Sequence, residues 1–258
     1  MNTVLDKLGK EILFFDGAMG TVLQKEGLQP GEAPELWNLR HPEVVFGIHT
    51  SYLEAGAQII KANTFGANPF KCRENGVALE EVVKAGIRLA RRAVEQAGEP
   101  AAVALDIGPT GKLLAPLGDL PFEEAVSAFG EMVRVGAPGA DCILIEPMND
   151  LYEAKAAVLA AKENSSLPVF ATMTFDQDGK LLTGGSLHAT AAVLDGLGVA
   201  AIGLNCGLGP RQMDGLIREL RQYTALPLIV NPNAGLPKEK DGCTYFDVGP
   251  KEFAQAME

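Results

Sequence analysis

The chain has 258 residues, a hydrophobic content of 47% and a formal net charge of −11 at pH 7. A chain of this length and composition can bury a large core, and it can do so as one domain, since α/β barrels reach about 250 residues without splitting. The strong negative charge argues against nucleic acid or an anionic membrane surface as the principal partner.

The sequence shows neither a signal peptide nor a membrane-spanning run. The N-terminal apolar run covers only residues 12–15, and no segment reaches the roughly 18 apolar residues that a membrane span needs. We therefore expect a cytoplasmic protein. Its four cysteines, Cys72, Cys142, Cys206 and Cys243, are then free thiols or metal ligands rather than disulfide partners.

Short apolar runs rich in β-branched residues alternate with helix-like stretches along the chain. In chain order, the predicted strands are EILFFDG, QIIKANTFG, AVALDIGP, CILIEPM, VFATMTF, AIGLNCG and LPLIVNPNAG. The predicted helices are EVVKAGIRLARRAVEQA, PFEEAVSAFGEMVRV, DLYEAKAAVLAAKE, HATAAVLDGL, PRQMDGLIREL and KEFAQAM. In the third of these, Ala154 and Val158 share an apolar face, and we expect Glu153 to lie away from it. Continuously apolar strands between helices indicate a parallel sheet buried on both faces.

The spacing of the strand ends predicts a (β/α)8 TIM barrel. Polar residues close the seven predicted strands, at intervals typical of βα units: Asp16, Asn63, Asp106, Glu146, Thr174, Asn205 and Asn231. The chain ends where the seventh helix runs, so we expect an incomplete barrel that lacks its eighth strand. A doubly wound open sheet is the alternative, but nothing resembles a dinucleotide crossover. No linker or charge run divides the chain, so we expect one domain over residues 1–258.

An incomplete barrel has two open sheet edges, at its first and last strands. Exposed edges invite pairing with another chain. We therefore expect either a homodimer formed through the open barrel edges or a marginally stable monomer.

Two strand ends suggest a binding site for an amino acid. The segment DGAMGT, 16–21, combines small residues with backbone N–H groups that suit a carboxylate or phosphate, while Asp16 could hold an ammonium group. Glu146 follows four apolar residues and would be costly to bury without a cation or hydrogen-bond donors. Asp16 and Glu146 are thus a candidate amine-binding pair. The alternatives are a tight βα turn for the first segment and a structural ion pair for the glutamate.

The remaining candidate motifs are weaker. Cys206 directly follows a strand end, where a cysteine is more often a small buried residue than a ligand or nucleophile. The histidines offer no spacing that indicates a catalytic dyad, and the sequence has no C-x-x-C motif. The stretch ALDIGPTGKLL is not a Walker A loop, because Asp106 stands where the first glycine belongs and Leu113 follows the lysine.

Seven segments in chain order resemble the homocysteine S-methyltransferase family. They are FFDGAMGTVLQ, KANTFGAN, ALDIGPTGKLL, the glutamate that ends ILIE, MTFDQDGKLLTG, IGLNCGLGP and NPNAGLP. Within that family they are most similar to the homocysteine-binding module of the cobalamin-dependent methionine synthases. The resemblance covers nearly the whole chain, and the family fold is a (β/α)8 barrel, as expected above.

The resemblance implies a methyltransferase that binds homocysteine, activates it as a zinc thiolate and accepts a methyl group to give methionine. The implied donor is methylcobalamin, carried by a cobalamin-binding domain or protein. A free thiol has a pKa near 8.5, and coordination to a metal deprotonates it. The resemblance also implies site residues by position: Asp16, Gly17, Ala18, Glu146 and Asn205 bind substrate, and Cys206 binds zinc.

The sequence departs from the family pattern at the metal site. The family holds zinc with three cysteines, two of them in a G-G-C-C-G-T segment that does not occur here. We therefore expect a C-terminally truncated module, or one whose missing ligands come from another polypeptide, and Cys243 does not replace them. Pro147, where the family usually carries threonine, and Pro138 also alter the pattern. The alternative function is a non-catalytic barrel that binds an amino acid or a partner without zinc.

Overall fold

The computed structural model describes residues 3–240 and 243–258, without the side chains of residues 237, 239, 240 and 243–245. The thiol of Cys243 therefore lies outside the described residues. The chain consists of two compact units, Met1–Ile145 with Ala156–Val169 and Glu146–Lys155 with Phe170–Glu258. The single domain over residues 1–258 stays a prediction.

Helices and strands alternate along most of the chain. Up to the third strand they are α1 (Gly20–Lys25), α2 (Trp37–Arg40), α3 (Pro42–Glu54), β1 (Ile59–Lys61), α4 (Pro69–Glu74), α5 (Leu79–Ala97), β2 (Ala102–Ile107), α6 (Phe122–Gly136) and β3 (Cys142–Met148). There follow α7 (Leu151–Asn164), β4 (Val169–Met173), α8 (Leu187–Gly196), β5 (Ala201–Asn205), α9 (Pro210–Leu220), β6 (Leu228–Asn231), β7 (Pro237–Lys240), β8 (Cys243–Phe246) and α10 (Pro250–Met257). Short 3-10 turns cover Leu5–Lys7, Pro34–Leu36 and Ala137–Gly139. None of the helices in the described ranges is both long and apolar enough to cross a membrane.

Strands β1 to β6 form a sheet in which the strand order follows the chain order. In the first unit β2 pairs in parallel with β1 and with the start of β3, so that Leu105 lies opposite Ile143. In the second unit β5 pairs in parallel with β4 and β6, and Asn205 lies opposite Asn231. Every residue of β2, β4 and β5 is buried, as expected for a parallel sheet covered on both faces. The predicted α/β class with a parallel sheet is confirmed.

The first predicted strand, EILFFDG, is reduced to one parallel bridge between Phe15 and Ile59. Ile12 and Phe14, on alternate positions of this segment, are 81% and 63% exposed. The sheet of the described chain therefore has six strands and a bridge instead of seven strands. The (β/α)8 barrel, incomplete with seven readable strands, stays a prediction.

Two further regions differ from the expected pattern. Strands β7 and β8 form an antiparallel hairpin, partly within a stretch that the sequence analysis treats as irregular. Glu153 of α7 is buried instead of lying away from the apolar face. Ala156, Ala157 and Ala160 are buried as well, so small side chains widen the buried part of this helix beyond the predicted stripe.

A hydrophobic cluster packs the helices near the N-terminus of the first unit. It contains Leu23, Leu28, Trp37, Val45, Ile48 and Leu89, with Tyr52 packed against it. Burying each large apolar side chain contributes about 1.5–3 kcal/mol. The cluster therefore fixes α3 beside α1 and α5, and it sets the position of the Tyr52 ring.

Candidate functional site

A first cluster of polar groups lies in the first unit, where the Phe15 bridge meets β1; its side chains are Asp16, Lys61 and Tyr52. Asp16 is buried, and its Oδ2 accepts a hydrogen bond from the backbone N–H of Lys61 at 2.9 Å. The Lys61 Nζ lies 3.7 Å from Oδ1 of Asp16. The side chains of this ion pair are only 2% and 15% exposed, for Asp16 and Lys61 respectively. The Asp16 charge is therefore balanced by a cation on the neighbouring strand.

Tyr52, from α3, fixes the segment that follows Asp16. Its hydroxyl donates to the carbonyl oxygen of Ala18 at 2.9 Å. A Cβ at Gly17 would lie 2.7 Å from the Tyr52 hydroxyl and 2.8 Å from a ring carbon, so the tyrosine requires glycine at this position. Burial raises the pKa of Tyr52, the nearby Asp16 carboxylate raises it further, and Lys61 opposes the rise.

The backbone of residues 17–19 leaves hydrogen-bond donors open. The N–H groups of Gly17, Ala18 and Met19 donate to no acceptor within the described part of the chain. All three residues are exposed or half-buried. These donors are available to an anionic or carbonyl group of a ligand, as the sequence analysis expects for this segment.

A second cluster lies in the second unit and contains Glu146, Thr174, Asn205 and Cys206. Glu146 is 4% exposed, and its Oε2 accepts a hydrogen bond from Nδ2 of Asn205 at 2.9 Å. The Thr174 hydroxyl donates to the carbonyl oxygen of Asn205 at 3.0 Å. Two predicted substrate-binding residues, on β3 and β5, are thus joined directly, and the carboxylate is oriented by an amide.

Cys206 follows Asn205 in an unusual backbone conformation. Its φ is 62°, the only value in the left-handed region at a non-glycine residue of the described chain. Its N–H donates to the carbonyl oxygen of Asn231 at 3.0 Å, and its own carbonyl accepts from Leu208 N at 2.8 Å. A cysteine in this region costs about 1 kcal/mol, and such strain persists only where surrounding contacts enforce it. These two backbone bonds hold residue 206 in that conformation.

The described residues do not form a complete zinc site. No group of three or more His, Cys, Asp or Glu side chains among them is placed to hold a metal ion. Burial raises the pKa of Cys72 to about 11, with Glu35 and Glu131 adding to the rise, and burial raises the pKa of Cys142 further still. Both therefore remain protonated thiols. Since catalytic zinc commonly takes three protein ligands, Cys206, the zinc ligand predicted from the resemblance, would not form such a site alone.

The structure distributes the predicted site residues between the two clusters. Glu146 and Asn205 come together beside Cys206, while Asp16, Gly17 and Ala18 belong to the first cluster. Lys61 and Tyr52 belong to the first cluster but are not among the residues predicted from the sequence. The segment QIIKAN could have indicated Lys61. Residues two apart on a strand face the same side, and Lys61 stands two residues before Asn63, which closes the predicted strand.

Comparison with known proteins places the chain among methyltransferases. A family model described as homocysteine S-methyltransferase matches residues 13–258. The methionine synthase of Mycobacterium tuberculosis is 34% identical over 271 residues, which cover 98% of this chain and 23% of that protein. The methionine synthase of Mycobacterium leprae is 32% identical, over 98% of this chain and 22% of that protein. The chain thus spans less than a quarter of the length of these relatives.

A solved structure supports the same assignment. The metallated form of the homocysteine methyltransferase MmuM from Escherichia coli superimposes with a TM-score of 0.75 at 26% sequence identity. The match covers 90% of this chain and 86% of that one. Because the family model spans almost the entire sequence and the fold agrees, the chain belongs to the homocysteine S-methyltransferase family.

Proposed function

We propose that the chain is a homocysteine-binding methyltransferase module whose product is methionine. The observation that carries this is the hydrogen bond between the buried Glu146 carboxylate and Asn205, next to the strained Cys206. In the transfer, the homocysteine sulfur forms a bond to the methyl carbon. The bond between methyl and its carrier breaks with its electron pair left on the carrier, and the thiol proton is lost.

Each cluster has its own part in the proposal. Glu146 is proposed to bind the substrate ammonium group, since its carboxylate is buried at a strand end and oriented by the Asn205 amide. Within the first unit, the open N–H groups of Gly17 and Ala18 are proposed to bind an anionic group. Asp16 is predicted to bind the amine together with Glu146, but its ion pair with Lys61 favours a role in holding the 16–19 segment.

Zinc activation and the methylcobalamin donor are the finer part of the proposal. Cys206 provides one zinc ligand, and tight zinc binding requires further ligands from another segment. The methionine synthase relatives support a methyl carrier on a cobalamin-binding domain or protein. Pairing of two copies at the exposed Ile12 and Phe14 edge is the proposed route to a dimer.

A non-catalytic amino-acid-binding protein is the second candidate function. It is favoured by the lack, among the described residues, of a group of three side chains placed to hold a metal. In this case Glu146 and Asn205 hold the amino acid, and the Cys206 thiol is not a metal ligand.

Metal analysis combined with ligand titration separates the two functions. The purified protein is assayed for zinc, for binding of L-homocysteine and for methyl transfer from methylcobalamin, beside Cys206→Ala and the matched thiol control Cys72→Ala. Stoichiometric zinc that is lost only in Cys206→Ala supports the methyltransferase. A metal-free protein that still binds homocysteine supports the binding protein, and a protein that binds neither contradicts both.

A further inference from the structure

Two lysines of the first unit carry their charges at the surface without a carboxylate partner. Lys71 belongs to α4, and Lys112 belongs to the segment that follows β2. Neither forms an ion pair within the described part of the chain. The Lys71 Nζ lies 5.9 Å from the centroid of the Phe65 ring, and the Lys112 Nζ lies 4.5 Å from the centroid of the Phe70 ring. An aromatic ring orients an ammonium group without neutralising it, so both charges remain.

The two elements that carry these lysines are joined by buried hydrogen bonds. Asn68, the N-cap of α4, is fully buried, and its Oδ1 accepts from the N–H of Lys71 at 3.0 Å. Its Nδ2 donates to the carbonyl oxygen of Thr110 at 3.4 Å. A Cβ at Gly111 would lie 3.4 Å from the Cε of Lys71, so the Lys71 side chain runs beside the residue that precedes Lys112. The two cations therefore belong to one positive region.

Two exposed leucines follow Lys112 in the loop after β2. Leu113 is 49% exposed and Leu117 is 65% exposed. The N–H of Ala115 donates to the carbonyl oxygen of Leu120 at 2.9 Å, and Leu114 and Leu120 are both buried. The loop is therefore held by its own backbone bond and by two other leucines, and the exposed pair is open to contact with another molecule.

Lys71, Lys112, Leu113 and Leu117 make up a surface that we call the Lys71 patch. Its two segments follow the carboxyl ends of β1 and β2, which lie at the same edge of the sheet because the strands are parallel. Asp16 also lies at this edge, where it accepts the N–H of the last residue of β1. A molecule bound to the patch would therefore stand at the edge to which the first cluster belongs.

The net charge of −11 limits what this patch can bind. Nucleic acids and anionic membranes carry extended negative charge, which the chain as a whole repels. A second copy of the chain brings the same net charge and is repelled in the same way. A protein face with a few carboxylates around an apolar centre avoids this repulsion and matches both the cations and the leucines.

We propose that the Lys71 patch docks a separate protein through a face that carries carboxylates around an apolar centre. The carboxylates pair with the two ammonium groups, and the apolar side chains cover the two leucines. This contact adds a partner site to the module, and it holds whether or not the module transfers a methyl group.

The test uses a short capped peptide, Glu-Leu-Glu-Glu-Leu-Leu-Glu, as the probe of this chemistry, and measures its dissociation constant by NMR titration. The same peptide with lysine in place of each glutamate is the control for charge. Lys71→Glu combined with Lys112→Glu is expected to weaken binding of the glutamate peptide about tenfold or more, because like charges then face each other. Leu113→Ser combined with Leu117→Ser is expected to weaken it about tenfold through lost apolar burial.

Arg88→Glu combined with Lys251→Glu is the matched control, since it changes the net charge by the same amount at two exposed positions. It is expected to leave the dissociation constant within about threefold of wild type. Thermal unfolding checks that each variant folds. Lys71→Gln combined with Lys112→Gln, which removes the charges without reversing them, keeps the test decisive if the glutamate variant does not fold.

Four results would overturn the proposal. The first is a wild-type protein that does not bind the glutamate peptide, or that binds the lysine peptide equally well. The second is an equal loss of binding in the matched control, which would assign the effect to the overall charge. The third is binding of phosphatidylglycerol vesicles that requires both lysines, which would make the patch a membrane site. The fourth is a dimer, detected by sedimentation, that the leucine variant dissociates.

Discussion

Two of the buried strand-end carboxylates, Asp16 and Glu146, differ in the contacts that hold them. Asp16 faces the Lys61 ammonium group and accepts a backbone N–H, whereas Glu146 accepts a hydrogen bond from the neutral amide of Asn205. Burying a carboxylate costs several kcal/mol unless partners compensate. A cation compensates the charge itself, while an amide orients the carboxylate. The two carboxylates therefore differ in the contacts that hold them, which is the contrast that the variants below test.

The largest expected effect is on ligand affinity at Glu146. Glu146→Gln keeps the hydrogen-bonding shape but removes the charge, and we expect homocysteine binding to weaken more than 100-fold, about 3 kcal/mol. Asp16→Asn, in contrast, leaves the Lys61 charge unbalanced, and we expect it to lower the free energy of unfolding by about 2 kcal/mol. Calorimetric titration and urea unfolding measure the two quantities.

Glu163→Gln, at an exposed position of α7, is the control for Glu146→Gln and is expected to change neither quantity. The contrast between the clusters breaks if Asp16→Asn abolishes homocysteine binding while Glu146→Gln mainly destabilises the fold.

A second expected effect concerns the contact between Gly17 and Tyr52 in the first cluster. In Gly17→Ala the new methyl group would lie 2.7 Å from the Tyr52 hydroxyl, and the tyrosine is held by Ala18 and by the hydrophobic cluster. We expect a loss of about 2 kcal/mol of stability from overpacking. Gly47→Ala in α3 is the matched control, since a Cβ there meets no atom within 4 Å.

Because alanine is a better helix former than glycine, the Gly47→Ala control is expected to stabilise the protein by about 0.5–1 kcal/mol. Thermal unfolding of both variants provides the comparison. Equal melting temperatures for the two would mean that Tyr52 moves freely and does not fix the segment.

A further expected effect is a gradual pH dependence of stability, which arises at His49 in α3 of the first unit. His49 is fully buried, and neither ring nitrogen has a hydrogen-bond partner among the described residues. Burial lowers the pKa of His49 to about 4 from its usual 6.5. Between these values the unfolded chain binds a proton that the folded chain does not. Stability from this group is therefore present above pH 6.5 and falls by about 1.4 kcal/mol per pH unit on acidification, until it levels off near pH 4.

Urea unfolding between pH 7 and pH 4 measures this slope. His49→Leu is expected to remove the His49 contribution, and His188→Leu, at an exposed ring, is expected to leave it in place. An identical slope in wild type and His49→Leu would assign the acid sensitivity to other groups.

The sequence predicts the central elements well because they are long and continuously apolar. Strands β2 to β6 and helices α5 to α10 coincide with predicted segments. Helix α3 was missed because Val44, Val45 and Thr50 are β-branched and weak helix formers, so its periodicity alone did not reveal it. The first strand was overestimated because its apolar residues, including Phe14, are exposed where burial was expected.

The candidate site was predicted in its carboxylates and its cysteine but not in their partners. Glu146 and Cys206 follow strand ends, and position along the chain is enough to suggest them. The ion pair between Asp16 and Lys61 depends on how the Phe15 segment pairs with β1. The residues near either side chain in the sequence do not reveal this pairing. The contact of Tyr52 with Gly17 depends on the packing of α3, an element absent from the prediction.

The left-handed backbone at Cys206 makes selection for stability and selection for the thiol act in opposite directions. A glycine at this position would relieve the strain, so any screen for heat resistance would favour the loss of the thiol. The proposed use of the Cys206 sulfur would oppose that selection. Cys206→Gly is therefore expected to raise stability while removing the proposed zinc ligand.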